Sequence, residues 1–219
     1  SNNIFLNEKL LARVKSIYDK KEQLNLSTED AKLLEDLYES FKANGATLNK
    51  DDKEKYRKLS MDLSMLTLQF DQNALKDKNR FELLITDENE LSGLPESARD
   101  AAAMLAKSKD KDGWLFNLSA PSYIPFMRYS DKRDLREKMY REYMSVGNKG
   151  DEFDNKDIIK KIVNIRLEIA QLMGFKNYAE YALEHTMAKN SANVYKLLNQ
   201  LLEAYKPIAI NEYNAVEGF

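Results

Sequence analysis

The chain has 219 residues, of which 43% are hydrophobic and 32% charged, and a formal net charge of −2. This composition is typical of a folded globular protein and argues against a disordered segment or a basic nucleic-acid-binding surface. The absence of cysteine excludes disulfides and thiolate metal sites, and no apolar run approaches the ~18 residues that cross a bilayer. A reducing, cytoplasmic location fits these features, and an exported form is not excluded.

Helical periodicity dominates residues 1–78. Apolar side chains recur three and four positions apart within residues 10–18, 33–41 and 56–70. Ser27 or Thr28 can cap the second of these stretches, and Asn44-Gly45 is a natural left-handed stop after it. The sequence therefore predicts three helices that pack through their apolar faces.

The pattern changes in the middle of the chain. Residues 80–86 form a short apolar run without helical period, which predicts a strand. Pro95 marks the start of an alanine-rich helix. Residues 114–118 predict a second strand, followed by an extended arm, because proline restricts the residue before it to extended geometry. We therefore expect a small β element around residues 80–86 and 114–129.

Helical periodicity returns over residues 131–219. The apolar positions predict one helix after Ser130, a second that ends at Gly174, a short third and a long last helix capped by Ser191. Pro207 removes one backbone donor from the last helix and should kink it. The predicted fold class is mostly all-α, a multi-helix domain with one small β element.

His185 is the only histidine in the chain. A catalytic zinc site needs three protein ligands, typically two histidines and a carboxylate, or else cysteines. One imidazole without thiols cannot supply that set, so we interpret His185 as structural. A calcium or magnesium site built from oxygen ligands stays open, although the acidic run before Gly113 lacks the spacing of a calcium loop.

Other chemical motifs are weak. The acidic pairs at Asp151/Glu152 and Asp154/Asp157 are candidates for acid–base chemistry, but acids that cap the next helix explain them better. Neither a Gly-x-Ser-x-Gly elbow nor a glycine-rich phosphate loop occurs. The aromatic side chains of residues 119–130 favour packing over ligand stacking. The residues alone thus predict a helical domain without a complete catalytic site.

Two ordered segments carry a family resemblance. The first is formed by Trp114, Leu118, Pro121, Tyr123, Pro125, Met127, Tyr129, Leu135, Arg136, Glu137 and Tyr140. The second is formed by Asp154, Asn155, Ile158, Ile162, Arg166, Ala170, Leu172, Gly174, Tyr178, Ala179, Tyr181, Leu183, Met187 and Ala188. Together they resemble the thimet oligopeptidase / oligopeptidase A / peptidyl-dipeptidase family of zinc metallopeptidases. The likeness covers essentially the whole chain. Its C-terminal part, from Met187 onward, looks closest to the peptidyl-dipeptidase branch.

The resemblance implies a zinc enzyme whose metal is held by a His-Glu-x-x-His helix and a downstream glutamate. None of these residues maps onto this chain, so we expect zinc in the full-length parent, and no catalytic or metal-binding residue here. Residues 1–219 are then one helical region from the N-terminal side of a larger peptidase, inactive alone and lacking the catalytic domain. Its expected sub-parts are helical (1–78), helix with short strands (79–130) and helical again (131–219).

Family enzymes enclose a channel between two mostly helical halves, which admits short peptides. The resemblance implies that this chain builds one wall of the channel, with Tyr123, Phe126 and Tyr129 as candidate lining residues. The expected partners of the parent are short peptides, with no nucleic acid and no membrane, and exposed apolar surface could make the chain self-associate. The alternative is a stand-alone helical module that binds peptides or a protein without catalysis.

Overall fold

A computed structural model describes residues 2–218, with side chains from Ile4 onward. The fold is mostly α-helical with one two-stranded antiparallel sheet, which confirms the predicted fold class. Short 3₁₀ turns occur at Lys21–Gln23 and Glu88–Leu91. The helices and strands are α1 (Asn2–Phe5), α2 (Glu8–Tyr18), α3 (Thr28–Ala43), α4 (Lys50–Arg80), β1 (Leu83–Ile85), α5 (Glu96–Ser108), β2 (Trp114–Phe116), α6 (Ala120–Tyr129), α7 (Arg133–Met144), α8 (Lys156–Leu172), α9 (Tyr178–Leu183) and α10 (Ser191–Glu217).

The contacts within the chain define two compact units. The first unit combines residues 1–63 with residues 163–219, and the second unit consists of residues 64–162. Both boundaries fall inside helices, one in α4 and the other in α8. The three predicted sub-parts follow changes in secondary structure, whereas these two units follow packing.

The three predicted N-terminal helices are α2, α3 and α4; the first unit contains α2, α3 and the part of α4 up to Leu63. Ser27 caps α3, since its hydroxyl oxygen accepts from the backbone N–H of Asp30 at 3.1 Å. Phe41 of α3 and Val14 of α2 are buried in one cluster, and Tyr56 and Ile169 belong to a second. Burying a side chain of the size of Phe41 contributes about 1.5–3 kcal/mol, so these clusters hold the helices together.

The second unit is built on the two-stranded sheet. Leu83 pairs with Phe116 and Ile85 with Trp114 in an antiparallel register, and α5 packs against β2. Leu83 and Ile85 are buried, while Leu84 between them is exposed, as the alternation of a half-buried strand requires. The strand prediction is confirmed in a shorter form at both places.

The predicted extended arm is wrong, because residues 120–129 form helix α6. Pro121 lies in the first turn, where its missing N–H would have had no partner within the helix. Pro125 lies inside the helix and, because it has no backbone N–H, removes one helical hydrogen bond. The side chain of Phe126 offsets that loss, since it is fully buried and its ring lies 4.7 Å from that of Phe116 in an edge-to-face arrangement.

Asp77 of α4 is a fully buried charged residue of the second unit. Its carboxylate is 0% exposed and accepts from the backbone N–H of Gly147 at 2.7 Å. It also pairs with Arg80 at 2.7 Å and with Lys149 at 3.1 Å. Burial opposes the charge of Lys149, but its hydrogen bonds to Glu142 and Asp77 outweigh that effect and raise its pKa above the ordinary value. The carboxylate is therefore buried with its charge compensated.

A second buried contact lies beside the first. The side-chain amide of Asn155 donates to the backbone carbonyl of Phe70 at 3.1 Å and accepts from the Asn73 amide at 3.1 Å. The backbone N–H of Asn155 donates to the carbonyl of Gly147 at 2.8 Å. Asp77 and Asn155 together tie the loop between α7 and α8 to α4, within the second unit.

Replacing Asp77 tests this arrangement. In Asp77→Ala, the ammonium of Lys149 and the N–H of Gly147 lose a buried acceptor, which should lower the free energy of unfolding by about 3–5 kcal/mol. The matched control is Asp157→Ala, because Asp157 forms an exposed pair with Lys160 at 3.2 Å and should change the stability by at most about 1 kcal/mol. Chemical denaturation followed by circular dichroism measures both. Equal losses in the two variants would contradict a special role for Asp77.

Two glycines of the second unit provide a further test. Gly93 and Gly150 both have left-handed backbone angles, φ +85° and +73°. A Cβ at Gly93 would collide with the backbone carbonyl of Tyr129, whereas a Cβ at Gly150 would meet nothing within 4 Å. Gly150→Ala should therefore cost only the left-handed strain of about 1–2 kcal/mol, and Gly93→Ala clearly more. Denaturation curves in which Gly150→Ala is the more damaging variant would refute the predicted contact.

Candidate functional site

The three predicted channel residues lie on α6 but face different surroundings. Phe126 is 0% exposed and belongs to the core of the second unit, so it is not part of an accessible wall. The ring of Tyr123 stacks on that of Tyr143, with 4.2 Å between centroids, and burial raises the pKa of Tyr123. Tyr129 is 46% exposed. For Tyr123 and Tyr129 the lining role stays a prediction.

The turn that follows α6 is fixed by several hydrogen bonds. The backbone N–H of Asp131 donates to the carbonyl of Ser92 at 2.9 Å, and the Ser92 hydroxyl donates to the Asp131 carboxylate at 2.6 Å. The Arg136 guanidinium donates to the backbone carbonyl of Ser130. These contacts hold the turn between α6 and α7 against the segment that precedes α5, and tie the start of α7 to the end of α6.

A groove lies on the outer surface formed by α6 and α7. Its volume is about 410 Å³, and it is shallow and largely open to solvent. Residues three and four positions apart on a helix share a face, so the arginines of α7 gather there while Met139 on the other face is buried. We call this feature the arginine groove; its lining residues are Met127, Arg133, Arg136, Glu137, Tyr140 and Arg141.

The arginine groove was not predicted from the sequence. Arg136, Glu137 and Tyr140 belong to the first segment of the family resemblance, which does not indicate the surface that they form. The usable signal was the spacing of Arg133, Arg136, Tyr140 and Arg141, which follows the helical period. That spacing alone did not show that Met127 of α6 would lie beside them.

The acidic residues between α7 and α8 have structural roles. Asp154 accepts from the backbone N–H groups of Gly150 at 2.6 Å and Lys156 at 2.9 Å. The side-chain hydrogen bond from Lys156, at 2.7 Å, and these backbone donors lower the pKa of Asp154 to about 2. A hydrogen bond from Arg80 similarly lowers the pKa of Asp151. The helix-start interpretation is confirmed for Asp154, because it accepts from the backbone N–H of Lys156, the first residue of α8. A carboxyl group with so low a pKa is also a poor general acid.

His185 lies just after α9 with its side chain 44% exposed, and its Nε2 is 3.4 Å from a carboxylate oxygen of Glu184. Within the described part of the chain, no three histidine, aspartate or glutamate side chains come together as a metal site would require. A zinc ion of the family type therefore does not fit the residues that the structure describes. Among those same residues, no helix has the length and apolar character needed to span a membrane.

The last helix, α10, carries a long apolar surface. None of its described residues is buried. Lys196, Glu203 and Lys206 project from the opposite side of the helix, as their spacing shows. We call the apolar face the α10 stripe; its residues, each between 44% and 63% exposed, are Leu197, Leu198, Leu201, Leu202, Tyr205 and Ile208.

Comparisons with known proteins agree with the resemblance seen in the sequence. Residues 126–219 match the sequence model of peptidase family M3. Oligopeptidase A of Haemophilus influenzae is 36% identical over 88% of this chain and 29% of its own length. Oligopeptidase A of Escherichia coli is 34% identical over 97% of this chain and 32% of its own length. Dipeptidyl carboxypeptidase of Escherichia coli is 30% identical over 100% of this chain and 32% of its own length.

Coverage and sequence identity differ in what they indicate about the family and its branches. The chain spans about a third of the length of these relatives. Identity to the two oligopeptidases A is higher than identity to the dipeptidyl carboxypeptidase, so the assignment to the peptidyl-dipeptidase branch gains no support from identity. Residues 126–219 match the family model, and nearly the whole chain aligns with about a third of each relative: the chain is similar to part of the proteins of peptidase family M3.

Proposed function

We propose that this chain forms the N-terminal-side, channel-wall portion of a zinc metallopeptidase that hydrolyses short peptides. The observation that carries the proposal is the similarity of nearly the whole chain to one third of oligopeptidase A and dipeptidyl carboxypeptidase proteins. The products of the parent are either C-terminal dipeptides or the shorter peptides of a related oligopeptidase. A cytoplasmic location belongs to the same proposal; one relative is named a probable cytosolic oligopeptidase A and another an organellar one.

We propose further that residues 1–219 alone are inactive. The single histidine and the lack of a metal-binding cluster among the described residues support this, because zinc-dependent peptide hydrolysis needs a ligand set that they do not offer. In the longer protein, zinc would be held by residues other than these. No step of bond cleavage is therefore assigned to a side chain of this chain.

The contribution of this chain would be to bind and orient peptides. The α6–α7 surface supports this role, since Tyr129 and Tyr140 are exposed and the arginine groove lies between the two helices. Aromatic rings and guanidinium groups are common anchors for peptides because they combine apolar contact with directed hydrogen bonds. Phe126 would support this surface from below rather than touch a peptide.

Activity and zinc content test the proposal. The longer polypeptide encoded by the gene should contain a His-Glu-x-x-His motif, hold one zinc ion and cleave a quenched fluorescent peptide in a chelator-sensitive manner. Residues 1–219 prepared in the same way should do neither, and the longer polypeptide with the motif glutamate changed to glutamine is the matched control. A gene that ends at Phe219, together with peptide binding by the chain, would support a stand-alone binding module instead.

Self-association of the isolated chain is the second expectation of this proposal. The α10 stripe exposes six large apolar side chains on one helix face, an arrangement that marks an interaction surface. We expect a sedimentation-velocity mass that rises with concentration, and a monomer for Leu198→Glu combined with Leu201→Glu. The control, Leu33→Glu with Met104→Glu, adds the same charge at exposed apolar positions outside the stripe and should associate like the wild type. A wild-type monomer at high concentration would contradict the expectation.

A further inference from the structure

We propose that the arginine groove binds an acidic segment of a peptide. The inference rests on the proposed function, in which the longer protein acts on peptides, and names the kind of peptide that this surface favours. It concerns binding and positioning at a place on α6 and α7, and assigns no catalytic residue.

The charge of the arginine groove is the first reason. Three guanidinium groups line it against one carboxylate, that of Glu137. Glu137 pairs with Arg141 at 2.7 Å, so the only acid of the groove neutralises one arginine at most. The chain as a whole carries a net charge of −2, yet four of its nine arginines lie within residues 128–141. This surface therefore attracts anions although the chain as a whole is slightly acidic.

The fixed position of Arg136 and the apolar side chains beside it are the second reason. Arg136 is half-buried, and its hydrogen bond to the carbonyl of Ser130 fixes the position of the guanidinium group. A fixed guanidinium offers paired N–H donors that match the two oxygens of a carboxylate. Tyr140 is 49% exposed, and the partly buried Met127 adds a flexible apolar contact. Carboxylate recognition beside apolar contacts is what an acidic peptide with an aromatic or aliphatic residue requires.

Phosphate is the competing ligand class, because guanidinium groups bind phosphate oxygens as well as carboxylates. Glu137 argues against it, since a lining carboxylate repels a doubly charged phosphate more strongly than a single carboxylate. Tyr140 and Met127 also provide contacts that inorganic phosphate cannot use. The experiment therefore includes phosphate as a competitor.

Calorimetric titration of residues 1–219 with two capped pentapeptides tests the inference. One peptide has the sequence Asp-Glu-Phe-Asp-Glu and the other Asn-Gln-Phe-Asn-Gln, so that they differ only in side-chain charge. We expect the acidic peptide to bind, more weakly as salt rises, and the neutral peptide to bind at least about tenfold more weakly. Arg133→Gln combined with Arg141→Gln should weaken the acidic peptide by about five- to tenfold, as two exposed ion pairs would predict.

The control variant is Arg13→Gln with Lys9→Gln, which removes the same charge from α2 and should leave binding unchanged. Circular dichroism of all variants checks that each is folded. Three results would overturn the inference: no binding of the acidic peptide, equal binding of the neutral one, or displacement by equimolar inorganic phosphate. The titration needs neither zinc nor cleavage, so its failure would leave the proposed peptidase function untouched, and an inactive parent would not explain a failed titration.

Discussion

The buried carboxylate of Asp77 is the constraint on which the second unit depends. A charge that is removed from water is tolerated only when donors and opposite charges surround it, and Asp77 obtains these from Gly147, Arg80 and Lys149. Lys149 also reaches Glu142, so the same contact fixes the C-terminal end of α7. The position of α7 relative to α4, and with it the face that carries the arginine groove, follows from where this one carboxylate is satisfied.

The stability of α6 depends on two opposing effects. Pro125 weakens this helix, but the burial of Phe126 against Phe116 and the hydrogen bonds between Ser92 and Asp131 stabilise its C-terminal half. The same geometry separates the roles of its aromatic side chains. Phe126 stabilises the core, whereas Tyr129, three residues later on the helix, is left at the surface. A short helix with prolines thus provides a rigid support for exposed aromatic and basic side chains.

Sequence reasoning predicted the parts of this fold that follow from local periodicity and capping. The stripes of α2, α3 and α10, a cap at Ser27 and the two short strands each depend on neighbours a few positions away, and they are found. The predicted Ser191 cap is wrong: Asn190 precedes α10, and its side chain accepts from the backbone N–H of Asn193. The helical state of α6 was not predicted, because the residues before Pro121 and Pro125 favour extended backbone. The burial of Phe126 in the core of the second unit, beside Phe116, offsets that preference. The arginine groove likewise requires Met127 and α7 to be adjacent in space. The burial of Asp77 was not predicted, because its partners Gly147 and Lys149 lie about 70 residues further along the chain.

Two features of the described residues bear on the proposed function. These residues offer no ligand set for zinc, and the last helix, α10, keeps a stripe of large apolar side chains in contact with water. Exposed apolar area of this kind is unfavourable by roughly 25 cal/mol per Å², which favours any arrangement that covers it. The relatives are about three times as long as this chain. Under the proposed function, α6 and α7 would bind peptides, and the α10 stripe would be covered by further polypeptide of the longer protein.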